Sequence, residues 1–185
     1  MNYHEGSRSL QDRFDSRRLA DRLAERMSRT AFSAEDRAFI ESRTMFFLAT
    51  ADAAGQPDCS YKGGLAGFVR VTGASELSFP SYDGNGMFRS LGNVLVNPCV
   101  GMLFLDFEQP RRLRVNGKAT ITENQSEFEG AQLIVRVAAE TIFPNCPRYL
   151  HRLQLVEPSV YAPRPGYEPP EPAWKKHFKD FLPRS

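Results

Sequence analysis

The segment LRVNGKATI (113–121) alternates without a break. Leu113, Val115, Ala119 and Ile121 fall on one side, and Arg114, Asn116, Lys118 and Thr120 on the other. A period of two describes a half-buried strand and excludes an amphipathic helix. The surrounding chain has the same character from Thr44 onward. TMFFLAT (44–50) is a β-type run, and ADAAGQPD supplies the Gly and Pro of a hairpin into CSYKG (59–63). GFVRV (67–71) and ELSFP (76–80) are joined by TGAS, a second hairpin signal. VGMLFLDF (100–107) is almost wholly apolar, as expected of a strand covered on both faces. QLIVRVAAE (132–140) and LQLVEPSVY (153–161) read as the later strands, the second closing the sheet. Short antiparallel strands with tight turns predict a small, mainly β barrel rather than a βαβ sheet.

Helical signals interrupt and flank this pattern. GMFRSLGNVLVN (86–97) places Met87, Leu91 and Leu95 on one stripe, and Pro98 ends it. Residues 9–29 read as one amphipathic helix carrying Leu10, Phe14, Leu23 and Met27. A short helix then starts at Ser33 as N-cap, with Glu35 and Asp36 in its first turn. Pro144 and Pro147 are expected to bracket a turn before a short helix, PRYLHR. Seven of the 13 prolines lie at or after Pro158, so residues 162–173 should lack regular structure. WKKHFKDF (174–181) has the makings of a terminal helix. The expected organisation is an N-terminal helix (1–30), one barrel domain (31–161) and a Pro-rich tail (162–185).

Charge and composition exclude several functions. Residues 1–30 hold seven Arg against five acidic groups, leaving 17 basic and 17 acidic residues in the rest. A balanced body offers no general footprint for nucleic acid, and the N-terminal arginines alternate with Asp and Glu as on a solvated face. No apolar run approaches the ~18 residues of a membrane helix. The N-terminus has no secretory core, and the three cysteines, Cys59, Cys99 and Cys146, form no CxxC pair. The expected home is therefore a reducing cytoplasm. In that setting the Asn124-Gln125-Ser126 sequon is a chance match. The chain contains no phosphate loop, dinucleotide fingerprint or GxSxG elbow. His4, His151 and His177 share no metal-ligand spacing, so no metal is expected.

The polar residues set against apolar strands are the candidates for chemistry. SYKGG (60–64) ends a strand on two glycines, which allow a ligand close to the backbone but equally suit a plain turn. SYDGNG (81–86) precedes a helix with Arg89 in its first turn. Asp83 or Asn85 either caps that helix or joins an anion site built from free N–H groups and an Arg fork. Arg111, Arg112 and Arg114 form a second basic cluster.

FFLATADAAGQPDCSYKGGLAGFVRV, LSFPSYDGNGMFRSLGNVLVNPCVGMLFLDF and RRLRVNGKATI, in that order, resemble the pyridoxamine 5'-phosphate oxidase-like split barrels, over about residues 35–155. The resemblance implies a mainly β (α+β) split barrel of six strands with peripheral helices. It also implies a homodimer with FMN at the interface. Ser60, Tyr61, Lys62 and Gly63 would then lie along the flavin ring, with Phe79 and Pro80 at its edge. Arg89 and Ser90 would meet the phosphate near Asp83 and Asn85, and Arg112 or Arg114 would face the reducible ring. Cys146 and Arg148, in PNCPRYLHR, either join two strands or approach the flavin's open face and bind an anionic substrate. The chain departs from the oxidase itself at its end, EPPEPAWKKHFKDFLPRS, which lacks the Arg-x-His pair that grips pyridoxal phosphate. Oxidation of pyridoxamine phosphate is therefore not expected. The implied function is a flavin-dependent oxidoreductase acting by hydride transfer on a small molecule, with no catalytic side chain identified. The alternatives are an FMN carrier or sensor, or a split barrel that holds a deazaflavin or haem.

Overall fold

A computed structural model describes residues 3–123 and 127–182, so the Asn124-Gln125-Ser126 sequon lies outside the described residues. The strands are β1 (Met45–Ala51), β2 (Pro57–Gly63), β3 (Arg70–Val71), β4 (Glu76–Tyr82), β5 (Cys99–Asp106), β6 (Arg111–Thr122) and β7 (Ala131–Asn145). The α-helices are α1 (Glu5–Arg13), α2 (Arg17–Met27), α3 (Ala34–Glu41) and α4 (Arg89–Val96). A 3-10 segment, Ala173–Phe181, is broken at Phe178. All strand pairs are antiparallel, in the order β2-β1-β5-β6-β7-β4-β3. Among the described residues no helix is long and apolar enough to cross a membrane.

The sheet is tightly curled. Phe46 of β1 is fully buried, with its ring centroid 5.0 Å from that of Phe79 on β4 and 5.1 Å from that of Phe104 on β5. β1 and β4 are four places apart in the sheet, which in a flat sheet means about 19 Å. Burying Phe46, Phe79 and Phe104 on one concave face brings the distant strands together. The alternation read in 113–121 is present in β6, with Leu113, Val115 and Ala119 buried and Arg114, Asn116 and Lys118 exposed. β6 and β7 shift register between Asn116 and Gly117. A Cβ on Gly117 would lie 2.1 Å from the Ala138 carbonyl oxygen, so this bulge admits only glycine.

Four expectations about elements are corrected. Residues 9–29 form two helices rather than one, separated at Phe14 and Asp15, the latter with φ +48°. Neither helix buries a residue, so no packing overrides the local break. The expected strand 153–161 is not formed, and Leu153, Leu155, Val156 and Val160 are exposed. The expected helix PRYLHR is only a turn, and β7 continues through Pro144. β4 pairs with β7 only as far as Ala138, so Pro144 lies where β7 has β6 alone as strand neighbour. The sheet contains seven strands, the two-residue β3 included, rather than the six that the resemblance implies.

α3 is fastened to this sheet by a buried ion pair. Asp36 accepts from Arg29 at 2.5 and 3.0 Å, and also from the Ser33 N–H and hydroxyl, closing a capping box. Arg29 exchanges backbone hydrogen bonds of 2.9 and 2.7 Å with Ile142 of β7. Burial pushes the Asp36 carboxyl upward, but the Ser33 N–H, the Arg29 guanidinium and the Ser33 hydroxyl outweigh it and hold the group below 3.8. Asp36→Ala should therefore cost about 2–3 kcal/mol, less than the roughly 3–5 kcal/mol of a fully buried pair because Arg29 still reaches water. In the parent protein this stabilisation is complete above 3.8 and disappears as pH falls through the lowered value. Denaturant midpoints of the two proteins, measured from neutral pH downward, should converge in that acidic range.

Candidate functional site

The curl sets the edge strand β2 opposite the end of β4, and α4 closes the gap between them. Strand alternation sends Asp58, Ser60 and Lys62 to one side of β2 and Tyr61 and Gly63 to the other. The first three line a cleft of about 260 Å3 with Ser81, Asn85, Arg89 and Ser90. α4 is held over it by buried Ser90, Leu91 and Val94, and by Asn93, whose Nδ2 donates to Thr50 Oγ1 at 3.1 Å.

A short polar chain runs along the cleft. The hydroxyls of Ser60 and Ser90 are 2.9 Å apart, and Ser90 Oγ donates to Asp58 Oδ2 at 3.0 Å. Arg89 Nε lies 3.6 Å from Asp58 Oδ1, so the arginine expected to meet an anion already has a carboxylate beside it. Asp58 was not singled out from the sequence, although its place two residues before Ser60 and four before Lys62 puts it on their face. Burial pulls the Lys62 ammonium below its ordinary value of 10.5, against the attraction of Asp58. With Lys62 and Arg89 against Asp58, the cleft has a net positive charge.

Neither proposed cap serves α4. Its N-cap is Phe88, in the left-handed region at φ 47° with no side-chain cap, while Asn85 Oδ1 accepts from the Met87 N–H at 3.0 Å. Asp83 points away to Gln132 Nε2 at 3.2 Å and Lys175 Nζ at 2.6 Å. Of the other expected site residues, Tyr61 packs against Phe47 on the opposite side of β2 and lines, with Gly63, a different hollow. Phe79 and Pro80 are buried, Phe79 in the aromatic core. Arg112 and Arg114 share the outward face of β6, and Arg114 sits over Phe143.

Arg112, Cys146 and Arg148 do meet one another. Arg112 Nε donates to the Cys146 carbonyl at 2.7 Å, and the Arg148 N–H points at Cys146 Sγ at 3.4 Å. The Arg148 N–H holds this exposed thiol below its ordinary 9.0; desolvation opposes it, and the charges of Arg148 and Arg112 add to the lowering.

The cleft and its curled antiparallel sheet can be set beside known proteins. A family model described as pyridoxamine 5'-phosphate oxidase matches residues 32–158. The chain belongs to the pyridoxamine 5'-phosphate oxidase family. That match covers α3, every strand and α4, the parts that build the cleft. Among solved structures, a Lactobacillus delbrueckii protein named as a candidate pyridoxamine 5'-phosphate oxidase is 20% identical, with a TM-score of 0.51, covering 62% of this chain and 95% of that one. An FMN-binding protein from Syntrophomonas wolfei is 13% identical, with a TM-score of 0.45 and coverages of 74% and 95%. The haem storage protein HutZ from Vibrio cholerae is 19% identical, with a TM-score of 0.41 and coverages of 63% and 92%. At 20% identity, the likeness to the Lactobacillus delbrueckii structure speaks to the fold alone. No curated protein matches the chain.

The coupling of Lys62 to Asp58 is directly measurable. In side-chain NMR the Lys62 ammonium should titrate below 10.5, and Asp58→Asn, which removes the opposing attraction, should lower its midpoint further. An unchanged or raised midpoint in the variant would contradict this electrostatic picture.

Proposed function

We propose that the chain is an FMN-binding flavoprotein whose cleft beside Lys62 and Arg89 receives the cofactor's phosphate end, and that it works as a flavin-dependent oxidoreductase on a small molecule. The observation carrying this reading is the convergence of Ser60, Lys62, Asn85, Arg89 and Ser90 on one cleft in a member of this family. The residues fit an anion. Two cations outnumber one carboxylate, two hydroxyls face inward, and the α4 N-terminus lies in the wall. When bound, FMN supplies the chemistry by accepting and donating hydride.

The chain's own work is binding and orientation. Lys62, made easier to deprotonate by burial, gains most from an anion that restores its charge. Arg89 is largely exposed and can turn from Asp58 toward a phosphate with little packing lost. Asp58 competes for Arg89 and holds Ser90, so it sets how tightly an anion is taken.

The reading includes a homodimer. At about 260 Å3 the cleft of one chain is smaller than ordinary ligand pockets of about 300–1,000 Å3, so a second subunit would complete it. Tyr61, Phe47, Leu103, Arg114 and Phe143 are register partners in a row across the outward sheet face, which suits such a contact.

FMN titrated into the stripped protein, followed by its visible absorption, tests the cofactor. Arg89→Ala should weaken binding about tenfold, and Asp58→Asn should tighten it a few-fold by freeing Arg89. If both substitutions leave affinity unchanged, the phosphate lies elsewhere. Reduction by NADH or NADPH with repeated reoxidation by a small acceptor separates an enzyme from a carrier.

A further inference from the structure

The C-terminal tail builds a second cleft. Past β7 the chain returns along the end of β4, and it is fastened there at two points. Gly130, at φ +72°, packs so closely against Pro163 that a Cβ would lie 2.8 Å from the proline ring. Farther on, Lys175 Nζ binds Asp83 at 2.6 Å. Between these points the tail and the Tyr82–Asn85 loop enclose an open space of about 1110 Å3, slightly larger than ordinary small-molecule pockets.

The lining has a definite chemistry. Tyr82, Tyr161, Tyr167 and Trp174 contribute aromatic rings. Four carboxylates, Asp83, Glu129, Glu168 and Glu171, face two cations, Arg164 and Lys175. Lys175 is taken by Asp83, and Arg164 lies over the Tyr167 ring at 3.9 Å. Glu129, Glu168 and Glu171 have no ion-pair partner among the described residues. The space therefore combines net negative charge with ring faces that attract cations, and one of those rings already holds a cation of the chain itself. An anion would meet three unneutralised carboxylates there, and a neutral apolar molecule would leave them without partners.

We propose that this tail-lined cleft is a binding site for a small organic cation, an ammonium group carried on an apolar or aromatic body. The proposal stands apart from the flavin reading, because it uses none of Ser60, Lys62, Arg89 or Ser90 and needs no redox step. The charge on the ligand is what the site selects.

Trp174 is the only tryptophan in the chain, so its fluorescence reports on the cleft directly. The full chain is titrated with benzyltrimethylammonium and, in parallel, with its uncharged carbon isostere and with benzoate. A saturable change in fluorescence is expected with the cation alone. Glu168→Gln/Glu171→Gln should weaken it about tenfold, by removing two carboxylates and no ring. Both positions are exposed, and circular dichroism checks that the fold is kept. Glu129→Gln, on the opposite wall, provides a second variant that leaves the tail sequence intact and should weaken binding in the same direction. No saturable response to the cation, an equal response to the neutral isostere, or unchanged affinity in both carboxamide variants would overturn the proposal. None of these outcomes bears on whether FMN occupies the Lys62 cleft.

Discussion

The burial of three phenylalanines on one concave face is the constraint from which the rest of the structure follows. With Phe46 packed against both Phe79 and Phe104, the sheet cannot lie flat. β2 and β4, five places apart in strand order, would be separated by about 24 Å in a flat sheet. Curled, they become opposite walls of one cleft, and α4 needs only eight residues to close it. The polar site is thus a product of the apolar core. Asp58, Ser60 and Lys62 are side by side because of local alternation, but they face Arg89 and Asn85 because of packing elsewhere.

Electrostatically, the cleft is a contest rather than a simple cation trap. Asp58 attracts Arg89, accepts from Ser90 and supports the charge on Lys62. A site with two unopposed cations would bind any anion in reach. One internal carboxylate raises the threshold, so that only a ligand offering several acceptors gains enough to displace it. The buried Asp36–Arg29 pair is the structural counterpart. There the buried carboxylate is bound by both Arg29 and Ser33, and the pair's work is to hold α3 onto β7.

Most of the fold was legible from the sequence because period-two alternation is enforced by burial. β6 was visible in this way, β5 as an apolar run, β1, β2 and β4 from β-type runs and the turns between them, and the start of α3 from its Ser33 cap. The reading lost its footing where burial is absent. Residues 153–161 contain apolar side chains at strand-like spacing, but Val156 is 94% exposed, and the chain runs there without a partner strand. The long helix expected over 9–29 failed for the same reason, since Phe14 is exposed and gains no burial that would carry the helix past Asp15. In the site, the expected run Ser60–Gly63 treated four successive residues as one surface, whereas a strand shows alternate residues to opposite sides. That rule would have kept Ser60 and Lys62 together, set Tyr61 and Gly63 apart, and brought in Asp58. The closeness of Asp83 to Lys175, 92 positions away, is a matter of tertiary path and has no local signature.

The Tyr82–Asn85 loop is a wall common to both clefts, with Asn85 lining each of them and Asp83 tied to the tail. A shared wall imposes thermodynamic reciprocity. If an occupant of one space shifts the loop and changes affinity in the other by some factor, the second occupant must change affinity for the first by the same factor. The short stretch between β4 and α4 is thus where two otherwise separate binding equilibria would exchange free energy. Its glycines, Gly84 and Gly86, leave the backbone free to transmit that exchange as a movement.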